Sequence, residues 1–293
     1  MPSSYIRRRR FESVLLSLPA FAIYTFITIY PILYLFYMSV FKWNGIPSSP
    51  LQFVGFKNFI LFFTDFRFML AFKNVGIFIL SGFLFILPVS FYLATVIQSK
   101  MKGKRILKSS YFMPQVISRT AIALMWYFMF YPSQGPIVIL LKALGFGPID
   151  FFGSPSLAIY AIVFVNAWTY AGFNMLIFSA GLTGIPNEIY EAAIVDGVNT
   201  WQKNIYITLP LLRESLQIFA VSCIVGSITT FEMVFVMTGG GPGNATEVFG
   251  TLLYKNAFTY NNYGYSNAIG AFLLITSVVS TILLNKLFSW NID

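Results

Sequence analysis

The sequence has no histidine, and Cys223 is its single cysteine. Histidine is the usual base near neutral pH and the commonest metal ligand, so its absence argues against both kinds of chemistry. A single cysteine excludes an internal disulfide framework. The chain also lacks the G-x-x-x-x-G-K-[ST] motif of nucleotide-binding loops and the G-x-S-x-G motif of serine hydrolases. The sequence therefore predicts no catalytic residue and no metal or nucleotide site in this chain.

Charged residues are also scarce, at 10% of the chain, whereas 57% of the residues are hydrophobic. Soluble domains carry about a quarter charged residues, so this composition predicts an integral membrane protein. The net charge of +9 fits basic residues on the cytoplasmic side of a membrane better than nucleic-acid binding. Residues Arg7–Arg10 precede an apolar run that is too long for the core of a cleavable signal peptide.

The apolar runs predict an all-α membrane fold with six transmembrane helices. A helix of about 20 apolar residues crosses a bilayer. The predicted spans are roughly 13–38, 74–97, 111–131, 157–181, 211–237 and 265–288. No repeat or long linker interrupts the chain, which predicts a single domain over residues 1–293. Residues 53–72, interrupted by Asp65 and Arg67, are predicted to form an interfacial helix on the outer face instead.

The basic residues orient these spans. With the N-terminus inside, the segments on the cytoplasmic side contain twelve Lys and Arg residues and the segments outside contain six. Cytoplasmic loops carry such an excess, so both termini are predicted to be cytoplasmic. Residues 182–210 then lie in the cytoplasm. The glycine-rich residues 239–250, GGGPGNATEVFG, lie outside.

The cytoplasmic segment predicts a short surface helix. Pro186 fits the start of a helix and Asn187 is a candidate N-cap. Glu188 and Glu191 follow in the first turns, where carboxylates favour the positive end of the helix dipole. Gly197 is expected to end the helix.

This surface helix is predicted to dock a partner protein. Ala192 and Ala193 have almost no side chain, so another surface can approach closely there. The alternative is an amphipathic helix lying on lipid. That alternative is disfavoured because the segment offers only Lys203 and Arg213 to anionic headgroups.

Three stretches resemble one family. Residues 185–210, IPNEIYEAAIVDGVNTWQKNIYITLP, closely resemble the EAA loop of permease subunits of binding-protein-dependent ABC importers. Residues 237–270, MTGGGPGNATEVFGTLLYKNAFTYNNYGYSNAIG, resemble the T-x-G-G-P loop of the carbohydrate branch, the maltose and glycerol-phosphate type permeases. Residues 113–132, MPQVISRTAIALMWYFMFYP, are similar to the third span of that branch.

The resemblance implies a type I ABC importer permease fold and a non-catalytic transport subunit for a sugar or oligosaccharide. Residues 187–198 would form a coupling helix held by a separate ATPase subunit, whose closure on ATP would open the pore toward a loaded binding protein. The implied coupling residues are Glu188, Glu191, Ala192, Ala193, Asp196, Gly197, Leu209 and Pro210. No cofactor is expected in this chain, since ATP and Mg²⁺ would belong to the ATPase subunits.

The resemblance also implies the partners and the location of this chain. The expected partners are a second permease subunit, two ATPase subunits, an extracytoplasmic solute-binding protein, the sugar and membrane lipid, with no nucleic acid. The expected location is the bacterial cytoplasmic membrane, which the chain would cross several times.

Polar residues recur at helical spacing in the fourth and fifth predicted spans. The two stripes are Asn166, Thr169, Tyr170 and Phe173 in the fourth span and Cys223, Gly226, Ser227 and Thr230 in the fifth. Polar side chains in hydrocarbon face protein or water, and sugars offer hydroxyl groups and flat apolar faces. The resemblance implies that these spans line a sugar cavity, so both stripes are predicted to bind substrate. Ordinary helix packing through small residues is the alternative.

Two charged residues lie well inside predicted spans, away from the ends. Glu232 is included among the predicted substrate residues, although it could instead cap a neighbouring helix. Arg119 lies nearer the cytoplasmic end of its span, within reach of the headgroups, and is not expected to pair with Glu232. A self-sufficient secondary carrier usually needs more buried charge than this, which disfavours that alternative. The absence of histidine disfavours a membrane-embedded enzyme.

Overall fold

The structure is a computed structural model that describes residues 16–99 and 101–289. Residue contacts divide these residues into two compact units. The first unit spans 16–64 and 253–272, and the second spans 65–252 and 273–289. The single domain over residues 1–293 stays a prediction. The predicted cytoplasmic ends of the chain, including Arg7–Arg10, lie outside the described residues.

Nearly all of the regular structure is helical, as predicted. The helices are α1 (Leu16–Ser39), α2 (Lys57–Thr64), α3 (Phe66–Gln98), α4 (Lys104–Val116), α5 (Arg119–Met129), α6 (Pro136–Ala143), α7 (Pro155–Thr183), α8 (Asn187–Val195), α9 (Thr200–Leu211), α10 (Arg213–Ile228), α11 (Glu232–Thr238), α12 (Phe249–Tyr254) and α13 (Tyr263–Ser289). π-Helical turns occur in α1 (Thr25–Ile29), α3 (Gly82–Ile86) and α9 (Lys203–Thr208), and after α12 (Lys255–Thr259). Strands β1 (Phe41–Lys42) and β2 (Gln52–Phe53) form one antiparallel pair.

Four of the described helices are long and apolar enough to cross a membrane: α1, α3, α7 and α13. Each coincides with a predicted span. Helices α9 and α10, bent by 76° relative to each other, add a fifth span if the pair is counted as one. The chain is therefore a multi-pass membrane protein, but six uninterrupted spans are not confirmed.

The other two predicted spans are interrupted helices. The predicted span 111–131 is divided between α4 and α5, because Ile117 and Ser118 adopt extended backbone conformations. Pro114 weakens the end of α4 by removing a backbone N–H donor. The predicted span 211–237 is divided between α10 and α11. The Thr229 hydroxyl bonds back to the Val225 carbonyl at 2.9 Å, a contact that tends to bend helices.

The predicted interfacial helix over residues 53–72 is only partly correct. Helix α2 covers the middle of that stretch, but residues 66–72 belong to α3. The Asp65 carboxylate caps α3 by accepting from the Arg67 backbone N–H at 2.9 Å, and the two side chains form an ion pair at 2.7 Å. The charges that interrupt the apolar run therefore start a membrane-length helix.

Within the second unit, α3, α7 and α10 pack around an apolar cluster. Its buried members are Ile86, Leu93, Ala94, Ile97, Met175, Phe178, Leu212 and Phe219. At one end of the cluster the Gln98 amide of α3 donates to the Ser179 carbonyl of α7 at 2.9 Å. Helix α4 also approaches α7 closely, since a Cβ atom at Gly172 would overlap the backbone carbonyl of Tyr111. These contacts position the α7 side chains described below.

In the first unit, one side chain hydrogen-bonds to the backbone of neighbouring segments. The Asn58 amide on α2 donates to the carbonyls of Ser39 at 2.8 Å and Phe41 at 2.9 Å. This places α2 beside the end of α1 and the β1–β2 pair. The backbone N–H of Tyr263, the first residue of α13, donates to the Trp43 carbonyl at 3.0 Å.

Candidate functional site

A cavity lies between α3, α7 and α10 of the second unit, with an empty volume of about 510 Å³. Most of the predicted substrate residues line it: Asn166, Tyr170, Phe173, Cys223, Gly226, Ser227 and Thr230. The remaining lining residues are Phe78, Ile86, Asn174, Phe219 and Ser222. The two polar stripes therefore face one common space, which we call the α7–α10 cavity.

Thr169 is the predicted stripe residue that does not line this cavity. Its side chain is buried, and its hydroxyl donates to the Val165 carbonyl of its own helix at 2.8 Å. Asn174 takes the place that the sequence assigned to Thr169. With Asn166 and Tyr170 it follows a strict four-residue spacing, and this was the signal in the sequence for it.

Asn174 presents an unused acceptor beside the cavity. Its amide nitrogen donates to the Tyr170 carbonyl at 2.9 Å. Its side-chain oxygen is buried and has no hydrogen-bond partner in the described part of the chain. Buried polar atoms normally have a partner, so this oxygen is available to a ligand hydroxyl. The Ser227 hydroxyl donates to the Cys223 carbonyl at 2.7 Å, and its oxygen can still accept from a ligand.

Arg119 contacts an aromatic side chain that lines the cavity. It begins α5, and its guanidinium carbon lies 5.4 Å from the centroid of the Tyr170 ring. That distance is typical of a cation–π contact. That Arg119 and Glu232 lie at separate depths stays a prediction.

Glu232 is the one predicted substrate residue besides Thr169 that lies outside this cavity. It is the first residue of α11, directly after the break that follows α10, and it does not line the α7–α10 cavity. Its side chain is exposed. The carboxylate that is buried is Glu247, with 0% exposure.

The predicted surface helix is present as α8. Its first helical residue is Asn187, as in the predicted range 187–198, but the N-cap residue is Pro186 and not Asn187. Gly197 ends it with a backbone φ of +73°, a left-handed conformation that glycine adopts readily. The Val198 N–H then donates to the Ala193 carbonyl at 3.0 Å, which is typical of a glycine-terminated helix.

One side of α8 is exposed and apolar as well as acidic. Ile194 is 71% exposed and Val195 is 86% exposed, and neither was predicted as a contact residue. Of the predicted coupling residues, those exposed are Glu188, Glu191, Ala192, Asp196, Gly197 and Pro210. Ala193 is only 4% exposed, so its small side chain lets α8 pack on its own chain rather than on a partner. Leu209 is half-buried.

The glycine-rich loop between α11 and α12 comprises residues 239–248. The Thr246 hydroxyl bonds to Thr238 Oγ1 at 2.7 Å and to the Gly241 carbonyl at 2.6 Å. The Asn74 amide of α3 donates to the carbonyls of Ala245 at 2.9 Å and Glu247 at 2.8 Å. The loop is therefore an ordered structure clamped to α3. The sequence predicted its position but not this clamp.

Acidic and sulfur ligands do not gather anywhere in the described residues. No group of three or more His, Cys, Asp and Glu side chains is placed to hold a metal ion there.

Comparison with known proteins places these features in a family. The family described as "binding-protein-dependent transport system inner membrane component" matches residues 86–291, which include α8 and nearly all of the residues that line the α7–α10 cavity. The chain belongs to this family. The predicted relationship to binding-protein-dependent permeases is thereby confirmed, and the transport-subunit character of this permease follows from it.

Two curated relatives and one solved structure are similar over almost the whole permease. This chain is 34% identical to the osmoprotective compounds uptake permease protein GgtC of Synechocystis sp., and the similarity covers 89% of this chain and 92% of the relative. It is 30% identical to the trehalose/maltose transport system permease protein MalF of Thermococcus litoralis, covering 95% and 94%. The solved structure is a bacterial alginate ABC transporter in complex with an alginate pentasaccharide-bound periplasmic protein. Its TM-score is 0.82 at 22% identity, covering 97% of this chain and 95% of that one.

These comparisons confirm the predicted fold class. The similarity to the solved transporter supports the type I importer fold. The similarity to a named trehalose/maltose permease agrees with the carbohydrate branch to which the outer-loop motif pointed.

Proposed function

We propose that this permease is one of two membrane subunits of an ATP-driven importer for a sugar or oligosaccharide. The observation that carries the proposal is α8, a short helix that exposes apolar and acidic side chains on a chain without a nucleotide-binding motif. A membrane protein without such a motif must receive the energy of ATP through a surface contact. In this proposal α8 is the coupling helix, and both chain termini lie in the cytoplasm of a bacterial cell.

The partners follow from this arrangement. Two ATPase subunits would bind ATP and Mg²⁺, a second permease would complete the pore, and this chain would hold no cofactor of its own. An extracytoplasmic binding protein would deliver the sugar. The solved alginate transporter, which is in complex with a periplasmic protein bound to an alginate pentasaccharide, supports such a partner. Its docking surface here would include the glycine-rich loop.

The coupling contact combines charge with close packing. Glu191 is exposed on α8 and would accept charge-assisted hydrogen bonds from an ATPase subunit, worth about 1.5–3 kcal/mol. Ile194 and Val195 would bury their exposed side chains in the same contact, and Ala192 would let the two backbones approach. Movement of the ATPase cleft would then be transmitted to α7 and α9 through the two ends of α8.

The α7–α10 cavity has the chemistry of a sugar site. Asn166, Asn174 and Ser227 offer amide and hydroxyl groups to sugar hydroxyls, and the ring of Phe173 offers an apolar face. The contact of Arg119 with the Tyr170 ring would fix the orientation of a phenol at the cavity wall. The substrates in the name of one relative, trehalose and maltose, support a carbohydrate for this chain.

The experiment that tests the coupling assignment uses the double variant Glu191→Ala, Gly197→Ala in the assembled transporter. Alanine at Gly197 must adopt a left-handed conformation, which costs about 1–2 kcal/mol, and Glu191→Ala removes the charged contact. We expect ATP-driven uptake to fall at least tenfold while the chain still inserts and assembles. Glu214→Ala, at an exposed carboxylate on α10, is the matched control and should transport normally. Normal uptake by the double variant would refute the coupling assignment.

A further inference from the structure

A second, larger space lies in the same unit beside α8, with an empty volume of about 1060 Å³. It is bordered by the C-terminal ends of α3 and α7, by α8 and by the π-helical turn of α9. Its polar lining residues are Thr95, Gln98, Ser99, Thr183, Asn187, Tyr190, Lys203, Asn204 and Thr208. It shares no lining residue with the α7–α10 cavity. We call it the polar cleft.

The chemistry of this lining is that of a site for a polyhydroxylated molecule. Amide and hydroxyl side chains predominate, and they both donate and accept hydrogen bonds. In the part of the chain that the structure describes, the side-chain amides of Asn187 and Asn204 make no hydrogen bond, so both are available to a ligand. Tyr190 adds one aromatic ring, a surface on which the apolar face of a sugar can pack.

The charge of the lining is a single positive one. Lys203 is the only charged residue among the described residues that line the cleft. Its ammonium lies 5.6 Å from the centroid of the Tyr190 ring, and this cation–π contact holds it at the wall. No carboxylate is among those described lining residues, so an anionic group on a ligand meets attraction without repulsion from them. One cation fits one anionic group rather than a polyanion.

The backbone at Lys203 is specialised. Residues Lys203–Thr208 form a π-helix, a rare conformation that frequently occurs at functional sites. Its wider turn brings Lys203, Asn204 and Thr208 to the same side, and all three line the cleft. The Thr208 hydroxyl donates to the Lys203 carbonyl at 3.2 Å within that turn.

The two walls of the cleft belong to different parts of the chain. One wall is fixed, because the Gln98 amide of α3 bonds to the Ser179 carbonyl at 2.9 Å and to Thr183 Oγ1 at 2.8 Å, both on α7. The other wall consists of Asn187 and Tyr190 on α8 and the turn at Lys203. A ligand that contacts both walls binds best in one position of α8, and it therefore stabilises that position.

We propose that the polar cleft binds a small polyhydroxylated solute that carries one anionic group, of the sugar phosphate class, and that binding restrains α8 and slows transport. In the orientation of the proposed function the cleft opens to the cytoplasm, the side to which the importer delivers sugar. Binding itself does not depend on the proposed function, whereas the effect on transport does.

Binding is tested by calorimetric titration of the transporter, assembled with its partner subunits in nanodiscs, with glucose 6-phosphate, glucose and inorganic phosphate. We expect glucose 6-phosphate to bind saturably and more tightly than either of the others, since only it engages both the amides and Lys203. Lys203→Gln should weaken glucose 6-phosphate about tenfold or more and leave glucose unchanged. Asn204→Ala should weaken both sugars.

Lys102→Gln is the matched control, because Lys102 is an exposed lysine that does not line the cleft. It should bind glucose 6-phosphate like the wild type. The proposal is wrong if titration with glucose 6-phosphate gives no saturable heat. That result is expected if a partner subunit fills the cleft. It is also wrong if inorganic phosphate binds as tightly as glucose 6-phosphate. The proposal fails as well if Lys203→Gln and Asn204→Ala both unfold at the wild-type temperature and neither variant weakens the binding of glucose 6-phosphate.

The regulatory step is tested by uptake with glucose 6-phosphate enclosed in the vesicles. Wild-type uptake should fall severalfold, and Lys203→Gln uptake should not. Binding without this inhibition would overturn the regulatory step alone. If ATP-driven uptake were absent altogether, the proposed function would fail, while the titration of the full chain would still decide whether the cleft binds the solute.

Discussion

Replacing Gly172 with alanine tests the close packing that positions the α7 side chains. A Cβ atom at this position would overlap the carbonyl oxygen and carbon of Tyr111 on α4, and it would lie 3.1 Å from the Phe112 nitrogen. These are all backbone atoms, so no side chain can rotate away. Helices α4 and α7 would have to separate by more than about 1 Å to accommodate one methyl group, which overpacks the contact.

The expected loss of stability follows from two opposing effects. Overpacking of a closely packed contact costs about 1–3 kcal/mol. Alanine is favoured over glycine inside a helix by about 0.5–1 kcal/mol, which offsets part of that loss. The free energy of unfolding should therefore fall by about 1–2 kcal/mol, which corresponds to a lower unfolding temperature by about 2–8 °C.

The single cysteine provides the assay. Cys223 is partly buried in the second unit, so a thiol-reactive dye reports its exposure as the purified protein is heated. Gly76→Ala is the matched control, because Gly76 is also helical and a Cβ atom there meets nothing within 4 Å. It should unfold at or slightly above the wild-type temperature. If Gly172→Ala unfolds no earlier than Gly76→Ala, the contact between α4 and α7 is not as described.

Two further variants probe the glycine-rich loop and the cavity wall. Asn74→Ala removes two hydrogen bonds to loop carbonyls, so amide exchange in residues 239–248 should speed up by about tenfold or more; unchanged exchange would show that Asn74 does not clamp the loop. Arg119→Gln removes the charge over the Tyr170 ring, and we expect the half-saturating sugar concentration for uptake to rise severalfold with a smaller change in maximal rate. Arg119→Lys should restore part of the affinity, and sugar uptake that is identical in Arg119→Gln and the wild type would remove Arg119 from the site.

The segment that contains α8 was the part of the chain most readily predicted from the sequence. Its helix lies between a proline and a glycine, and the two residues have local conformational preferences that hold in any context. Gly197 adopts the left-handed conformation for that reason. The burial of Ala193 was not predictable, because it depends on how α8 rotates against the rest of its own chain.

The sequence predicted which helix faces line the cavity, but it did not predict which residues on each face reach it. A face is wide enough to include both Thr169 and Tyr170, and only packing decides which of them reaches the open space. Thr169 faces away, whereas Asn174, one turn beyond Tyr170, faces the cavity. Helical spacing alone could not separate these cases.

Contacts between residues that are far apart in the sequence were not predicted. Asn74 is 171 residues from Ala245 and 173 from Glu247, and no local pattern indicates that they meet. The approach of Arg119 to Tyr170 likewise depends on the break between α4 and α5, which turns an apparent single span into two helices. An apolar run predicts burial in a membrane, but it does not predict where a helix bends.

The central claim is that this permease moves sugar only when a separate ATPase moves α8. The most direct measurement is sugar accumulation in proteoliposomes that contain this chain and its partner permease, with and without the ATPase subunits. The binding protein is supplied outside the vesicles and ATP inside. We predict accumulation only in the vesicles that contain the ATPase. Accumulation driven by a solute gradient, with neither the ATPase nor ATP present, would contradict the account.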